Sequence, residues 1–193
     1  MGGDKEISMN KENWYILRTY KDQEYEAADL LEQAIPKSLC SLCRIPQKIK
    51  MFRRGGEFHL VKDIMFPGYL FVRTSQPEKL QKELKKSREF PQFLLFGKTE
   101  TGEDELIPIS TQDLTFLQNV CGNELQSDMG VTDITLGENR TILGACGALE
   151  RYVNQIVRLD LHKRFAVVAV PLFNHSQTVQ FGIRLEQDRD IVA

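Results

Sequence analysis

The chain has 193 residues, enough for one domain or two small ones, with 41% apolar and 27% charged residues, the proportions of an ordinary globular protein. No run approaches the roughly 18 apolar residues of a membrane-spanning helix, and a formal net charge of −2 argues against coating nucleic acid with the whole surface. The opening MGGDKEISMN is polar and acidic, so neither a secretory leader nor a myristoylation signal is expected, and residues 1–12 read as a disordered start.

Asn13–Tyr20 (NWYILRTY) is aromatic and β-branched without a breaker, which predicts a strand. Asp22 then stands as a helix cap before QEYEAADLLEQAI, where Ala27, Leu31 and Ala34 form an apolar face and Pro36 stops the helix. Residues 45–54 alternate apolar and basic side chains, Gly55-Gly56 signals a hairpin, and Phe58–Val61 begins the return strand. Residues 65–73 (MFPGYLFVR) form the strongest strand, but Pro67-Gly68 delays its start, because proline cannot donate to a ladder. Ser75 and Glu78 have capping-box spacing before a short helix with Leu80 and Leu84 inward. Phe93–Phe96 reads as a short buried strand and 98–105 as a polar loop. Ser110 and Asp113 cap a third helix with Leu114, Leu117 and Val120 inward.

Helices interleaved with antiparallel strands predict an α+β sandwich over residues 13–121. Residues 122–132 are polar and aperiodic, a linker. Beyond them, 140–144, 153–159, 165–173 and 178–181 are strand-like with turns between, so residues 133–193 are expected to form a small all-β barrel.

The inventory for catalysis is poor. His59, His162 and His175 have no metal-ligand spacing, and no nucleotide loop or nucleophile elbow occurs. Cys40-x-x-Cys43 lacks a second close pair, with Cys121 and Cys146 far apart, so free thiols in a reducing, cytoplasmic setting are expected and no metal or cofactor. Charge is uneven instead. Arg44, Lys48, Lys50, Arg53, Arg54 and Lys62 stand against Glu57 alone, a local charge of +5, with His59 in addition. In the barrel region Arg151, Arg158, His162, Lys163 and Arg164 face only Asp160. Each cluster reads either as a phosphate-binding patch or as an ordinary solvated face.

Three stretches carry a family signature. Trp14–Tyr20 followed by Glu24 resembles the opening of the NusG N-terminal (NGN) domain, and Phe66–Val72 resembles its FPGY strand. Residues 147–170, with Gln155-Ile156-Val157 and the Leu161–Arg164 turn, are similar to the KOW module that follows it, as are Pro171-Leu172-Phe173 and Thr178-Val179. The resemblance spans about residues 13–193. It implies an NGN sandwich, a linker and a five-stranded SH3-like KOW barrel. It also implies a non-enzymatic, monomeric elongation factor that binds RNA polymerase beside the upstream DNA fork and suppresses pausing. Where the KOW pattern has Lys-Gly and a second Gly, this chain has Glu150-Arg151 and Asn154. With the divergent Cys40–Arg44 region, that places it nearest LoaP-like antiterminators acting at selected operons. The open alternatives are a general NusG recruiting Rho or a ribosomal protein, and a ribosome-associated KOW protein that binds RNA.

On this resemblance Tyr20, Phe66, Tyr69 and Trp14 are expected to touch the polymerase, although Phe66, Tyr69 and Trp14 would serve equally as core. Lys48, Lys50, Arg53, Arg54, His59 and Lys62 are expected to face DNA. Arg151, Arg158, His162, Lys163 and Arg164 are expected to meet leader RNA, a hairpin being the natural target, and Phe173 a protein partner. No membrane partner is expected.

Overall fold

The computed structural model describes residues 11–95, 97–100, 102 and 104–191. Most of the expected disordered start (residues 1–10) and Phe96 of the expected short strand Phe93–Phe96 lie outside them. The chain forms two compact units, Met1–Arg44 with Gly68–Ile109, and Ile45–Pro67 with Ser110–Ala193.

The first unit is a four-stranded sheet with two helices. Its strands are β1 (Asn13–Arg18), β2 (Leu42–Arg44), β5 (Tyr69–Thr74) and β6 (Gln92–Phe93), in the order β2-β5-β1-β6; its helices are α1 (Glu24–Ala34) and α2 (Pro77–Leu84). The central strands are the two uninterrupted apolar runs. Tyr15, Ile16 and Leu17 on β1 and Leu70, Phe71 and Val72 on β5 are buried, as strands covered on both faces must be. They pair antiparallel from Asn13↔Thr74 to Arg18↔Tyr69. Helix α1 buries Ala27 and Leu31, and the next buried position is Ile35, whose exit into extended backbone before Pro36 ends the helix. Ala34 is exposed. Asp22 does not cap α1: it takes φ +69° and Gln23 stands at the cap. The Ser75–Glu78 capping box is also unused, because Gln76 occupies the cap and its N–H donates to Thr74 Oγ1 at 2.9 Å. Leu80 and Leu84 are fully buried as expected.

The second unit begins with a hairpin of β3 (Gln47–Arg54) and β4 (Glu57–Ile64), paired from Gln47↔Ile64 to Arg54↔Glu57. Gly55 and Gly56 close it at φ +62° and +95°, the geometry a two-residue hairpin turn requires. Helix α3 (Thr111–Cys121) is capped by Ser110, whose Oγ accepts from the Asp113 N–H at 3.1 Å. Five strands follow: β7 (Thr132–Leu136), β8 (Ile142–Cys146), β9 (Ile156–Asp160), β10 (Phe165–Leu172) and β11 (His175–Arg184), in the order β8-β7-β11-β10-β9. Their core follows the period of a strand: Ala166, Val168, Val170 and Leu172 on β10 meet Val179, Phe181 and Ile183 on β11.

The polar segment after α3 is more structured than its composition implies. Leu125 and Met129 are buried, and Met129 exchanges backbone hydrogen bonds with Gln47 and Ile49, both at 2.8 Å. Strand β7 begins at Thr132, and the expected strand over 153–159 is shortened because Glu150–Gln155 forms a 3₁₀ turn.

Candidate functional site

The mouth of β5 is built from a glycine, a buried carboxylate and two tyrosines, all in the first unit. Gly68 takes φ +85°, open to glycine at no steric cost. Its carbonyl accepts from the Thr19 N–H at 2.9 Å, and its own N–H donates to Glu24 Oε1 at 2.6 Å. Glu24 is the first residue of α1, where the helix dipole favours an anion. It is 1% exposed, and its Oε2 has no hydrogen-bond partner among the described residues. A buried acceptor of this kind costs free energy, so the interaction through Oε1 must hold the corner firmly. The consequence is positional: the ladder resumes at Tyr69, opposite Arg18, and Tyr69 stays half-buried.

Tyr20 leaves the end of β1 with 76% of its surface exposed. It borders an open groove of about 970 Å³, also lined by Arg18, Lys21, Leu30, Phe90 and Phe93. The groove mixes apolar side chains (Ala27, Leu30, Phe90, Pro91 and Phe93) with charges of both signs, Arg18, Lys21 and Arg88 against Glu26 and Glu89, a composition like that of a protein-binding surface.

Two other expected docking rings are placed differently. Trp14 is 6% exposed and belongs to the core of β1, because a central strand presents both faces to covering layers. Phe66, in the second unit, is 9% exposed and packs edge-on against Phe173 with centroids 5.6 Å apart. Phe173 is half-buried, and its N–H donates to Asp113 Oδ2 at 3.1 Å. Phe66 and Phe173 therefore satisfy each other rather than standing as open anchors.

The hairpin divides its basic residues between two faces. Strand alternation puts Lys48, Lys50 and Arg54 with His59, and Arg53 with Lys62 on the reverse. Acids dilute the cluster. Lys50 pairs with Asp63 at 2.7 Å and Lys62 with Asp128 at 2.7 Å. Burial pushes the Asp63 carboxyl upward, but the Lys50 hydrogen bond and charge, with Lys48, outweigh it and hold it below the usual value. Burial also lowers the Lys48 ammonium. Arg53 bonds the Gly56 carbonyl and lies 5.6 Å from the Phe58 ring. Arg54 and His59 are exposed, and Arg54 has no ion-pair partner among the described residues.

The barrel cluster loses one member to the interior. Arg164 is 7% exposed, grips Asp188 with two hydrogen bonds of 2.6 and 3.1 Å, donates to the Leu161 carbonyl, and lies 4.7 Å over the Phe58 ring. A buried guanidinium held in a bidentate pair is a structural pin and is withdrawn from the surface where phosphate would be met. Its φ of +57° shows why the turn hid this: the backbone reverses there and sends the side chain inward. His162, Lys163, Arg158 and Arg151 stay exposed. Arg158 spans Asp160 at 3.4 Å and the Phe165 ring at 5.2 Å, and Arg151 reaches Asn119 at 3.4 Å.

The thiols are not poised for chemistry. Burial raises Cys40 to about 11, Cys43 to about 12 and Cys121 to about 12. No group of three or more metal-ligating side chains occurs among the described residues. Also among them, no helix is long and apolar enough to cross a membrane.

Sequence reasoning missed two residues. Glu24 was visible only as part of a family pattern, since no spacing rule predicts a helix-opening carboxylate bonded to a glycine 44 residues away. Phe52, 51% exposed on the hairpin, was legible from alternation, which places it in line with Lys48, Lys50 and Arg54.

The profile of the family described as "Transcription termination factor nusG" matches residues 12–118. Among solved structures, the NusG of Thermotoga maritima, from a study titled "Domain interaction in Thermotoga maritima NusG", superposes with a TM-score of 0.54 at 20% identity. The match covers 89% of this chain and 94% of that one, and it supports the same mixed α+β fold ending in a small barrel-like sheet. No curated protein matches the chain.

Proposed function

Since the chain belongs to the NusG family of transcription factors, whose members bind RNA polymerase, we propose that it is a specialised elongation factor that suppresses pausing and termination at selected operons. The observation that carries the docking surface is Tyr20, largely exposed at the rim of an open groove that Leu30, Phe90 and Phe93 help to line, next to the strand end where Glu24 and Gly68 hold Tyr69. A helix of the polymerase seats an apolar side chain in that groove, and the two tyrosines supply ring area with little conformational entropy to lose. The factor works by binding, with no cofactor. The barrel, read as a KOW domain, recruits it to a leader RNA through His162, Lys163, Arg158 and Arg151, all of which are exposed.

The test is transcription in vitro on a terminator-bearing template, with and without the candidate leader, together with polymerase pull-down. Tyr20→Ala and Tyr69→Ala reduce polymerase capture at least tenfold with unchanged thermal unfolding, and readthrough rises only on the leader template. Readthrough unchanged on every leader removes the antitermination reading. The family's own description as a termination factor favours a second reading, a general factor that recruits Rho or a ribosomal protein. Capture of Rho by the full chain would establish that one instead.

A further inference from the structure

We propose that Cys40 and Cys43 form a two-coordinate thiolate site for a soft monovalent metal ion, Cu(I), in the cleft between α1 and the edge strand β2. All its residues belong to the first unit, and it does not rest on the transcription reading.

The cleft measures about 110 Å³. Helix α1 lines it with Leu31 and Glu32, and the turn and β2 line it with Lys37, Cys40, Cys43 and Arg44. Both cysteines thus border one small space. Cys40 is 6% exposed and Cys43 half-buried, so an ion enters from the Cys43 side. The backbone that carries them is held from two directions. The Cys40 N–H donates to the Pro36 carbonyl at 3.1 Å, and the Ser41 N–H donates to the Arg73 carbonyl at 3.0 Å. Cys43 stands opposite Val72 in the β2–β5 ladder. Ligands fixed in this way are placed before the ion arrives.

The donor set selects the ion. Thiolates are soft ligands and take Cu(I) or zinc. Structural zinc wants four ligands, yet no three metal-ligating side chains converge among the described residues. Glu32, the acid on the cleft wall, is engaged with Lys37 at 2.9 Å. Two thiolates alone suit an ion content with two ligands, which is Cu(I). Binding exchanges metal for protons: Cu⁺ and two S–H groups give a bis-thiolate complex with a single negative charge and release two protons to water. Lys37 and Arg44 face that charge. Burial raises both thiols, and the charge of Cys40 adds to it at Cys43, so each sulfur lies in the other's field; Lys37 opposes the rise at both, and Arg44 at Cys43. Thiols this high supply too little thiolate to exchange disulfides, whereas a metal ion displaces the proton directly.

The experiment is anaerobic titration of the reduced full chain with Cu(I) in competition with bathocuproine disulfonate, alongside Cu K-edge absorption of the loaded protein. The wild type is expected to hold about one Cu(I) per chain with two sulfur neighbours. Cys40→Ser and Cys43→Ser are each expected to weaken binding by more than about 100-fold, above the range that losing an outer-shell partner costs. Cys146→Ser, which removes the exposed thiol, is expected to bind as the wild type does. Retention of Cu(I) in Cys43→Ser, its loss in Cys146→Ser, or Zn(II) held as tightly as Cu(I) overturns the site. Should the serine variants at 40 and 43 not fold, the absorption spectrum of Cys146→Ser decides: two sulfur neighbours support the pair, and any other shell overturns it. Transcription is not read, so either result leaves polymerase capture untouched.

Discussion

Glu24 and Gly68 are joined by a 2.6 Å hydrogen bond across 44 residues of sequence, and both are buried. The carboxylate opens a helix and the glycine opens a strand, so one contact sets where α1 and β5 both begin. The remaining Glu24 oxygen has no partner among the described residues, and the other bond at the corner is the Thr19 N–H to the Gly68 carbonyl at 2.9 Å. Glu24→Ala is expected to cost about 1–3 kcal/mol, the penalty of stranding a buried N–H, and Glu24→Gln less, since the amide oxygen still accepts. Gly68→Ala is expected to cost about 1–2 kcal/mol from its left-handed backbone. Urea unfolding measures all three, and stability equal to wild type in both Glu24→Ala and Gly68→Ala would show that the corner is held by something else.

Gly182 lets the hairpin lie against β11. A Cβ there would sit 2.5 Å from the Ile49 carbonyl oxygen and 3.1 Å from Lys50 Cα, backbone atoms that cannot rotate away. Gly182→Ala is therefore expected to destabilise the second unit by about 1–3 kcal/mol, as overpacking does. Hydrogen exchange locates the effect: the Ile49 and Met129 amides, which bond to Met129 and Gln47, lose protection first.

Arg164 and Asp188 predict an acid limit. Burial pushes the Asp188 carboxyl up, but the hydrogen bonds from Arg164 and the Leu185 N–H and the charges of Arg164 and Arg184 outweigh it, leaving it below its ordinary 3.8. A depressed carboxylate contributes stability that is fully present above its unfolded value and disappears as pH falls through the folded one. The second unit should hold from neutral pH to near 4 and weaken below it. Asp188→Asn strands a buried guanidinium, with an expected loss of about 3–5 kcal/mol at pH 7 and a flatter acid limb. Thermal unfolding from pH 7 to pH 2 reads both.

The cysteines should react in order of burial. Cys146 is exposed, whereas Cys40, Cys43 and Cys121 are raised to about 11, 12 and 12. At pH 8 a thiol of that kind is thiolate in roughly one molecule per thousand or fewer. Iodoacetamide followed by mass spectrometry is expected to modify Cys146 well before the others; prompt labelling of Cys40 or Cys121 would contradict their packing.

Several elements were legible because local chemistry alone decides them. Tyr15–Leu17 and Leu70–Val72 are apolar runs that suit only covered strands, Gly55-Gly56 demands a tight turn, and Ser110 caps α3. The failures share one cause, competition from partners distant in sequence. Asp22 and Ser75 have cap chemistry, but the backbone around them is set by neighbouring strands and the caps fall one residue later. Residues 122–132 look like a linker until Met129 bonds to Gln47 and Ile49, eighty residues upstream.

The amino-acid order by itself determined the interleaved α+β half, the strand-rich second half and the family, because apolar periodicity and turn residues act over a few positions. Only the tertiary structure decided which side chains are available. Burial took Trp14, Phe66 and Arg164 out of the surface and left Tyr20 and Phe52 in it. Exposure depends on what packs against a residue from elsewhere in the chain, and neighbours in sequence carry no record of that.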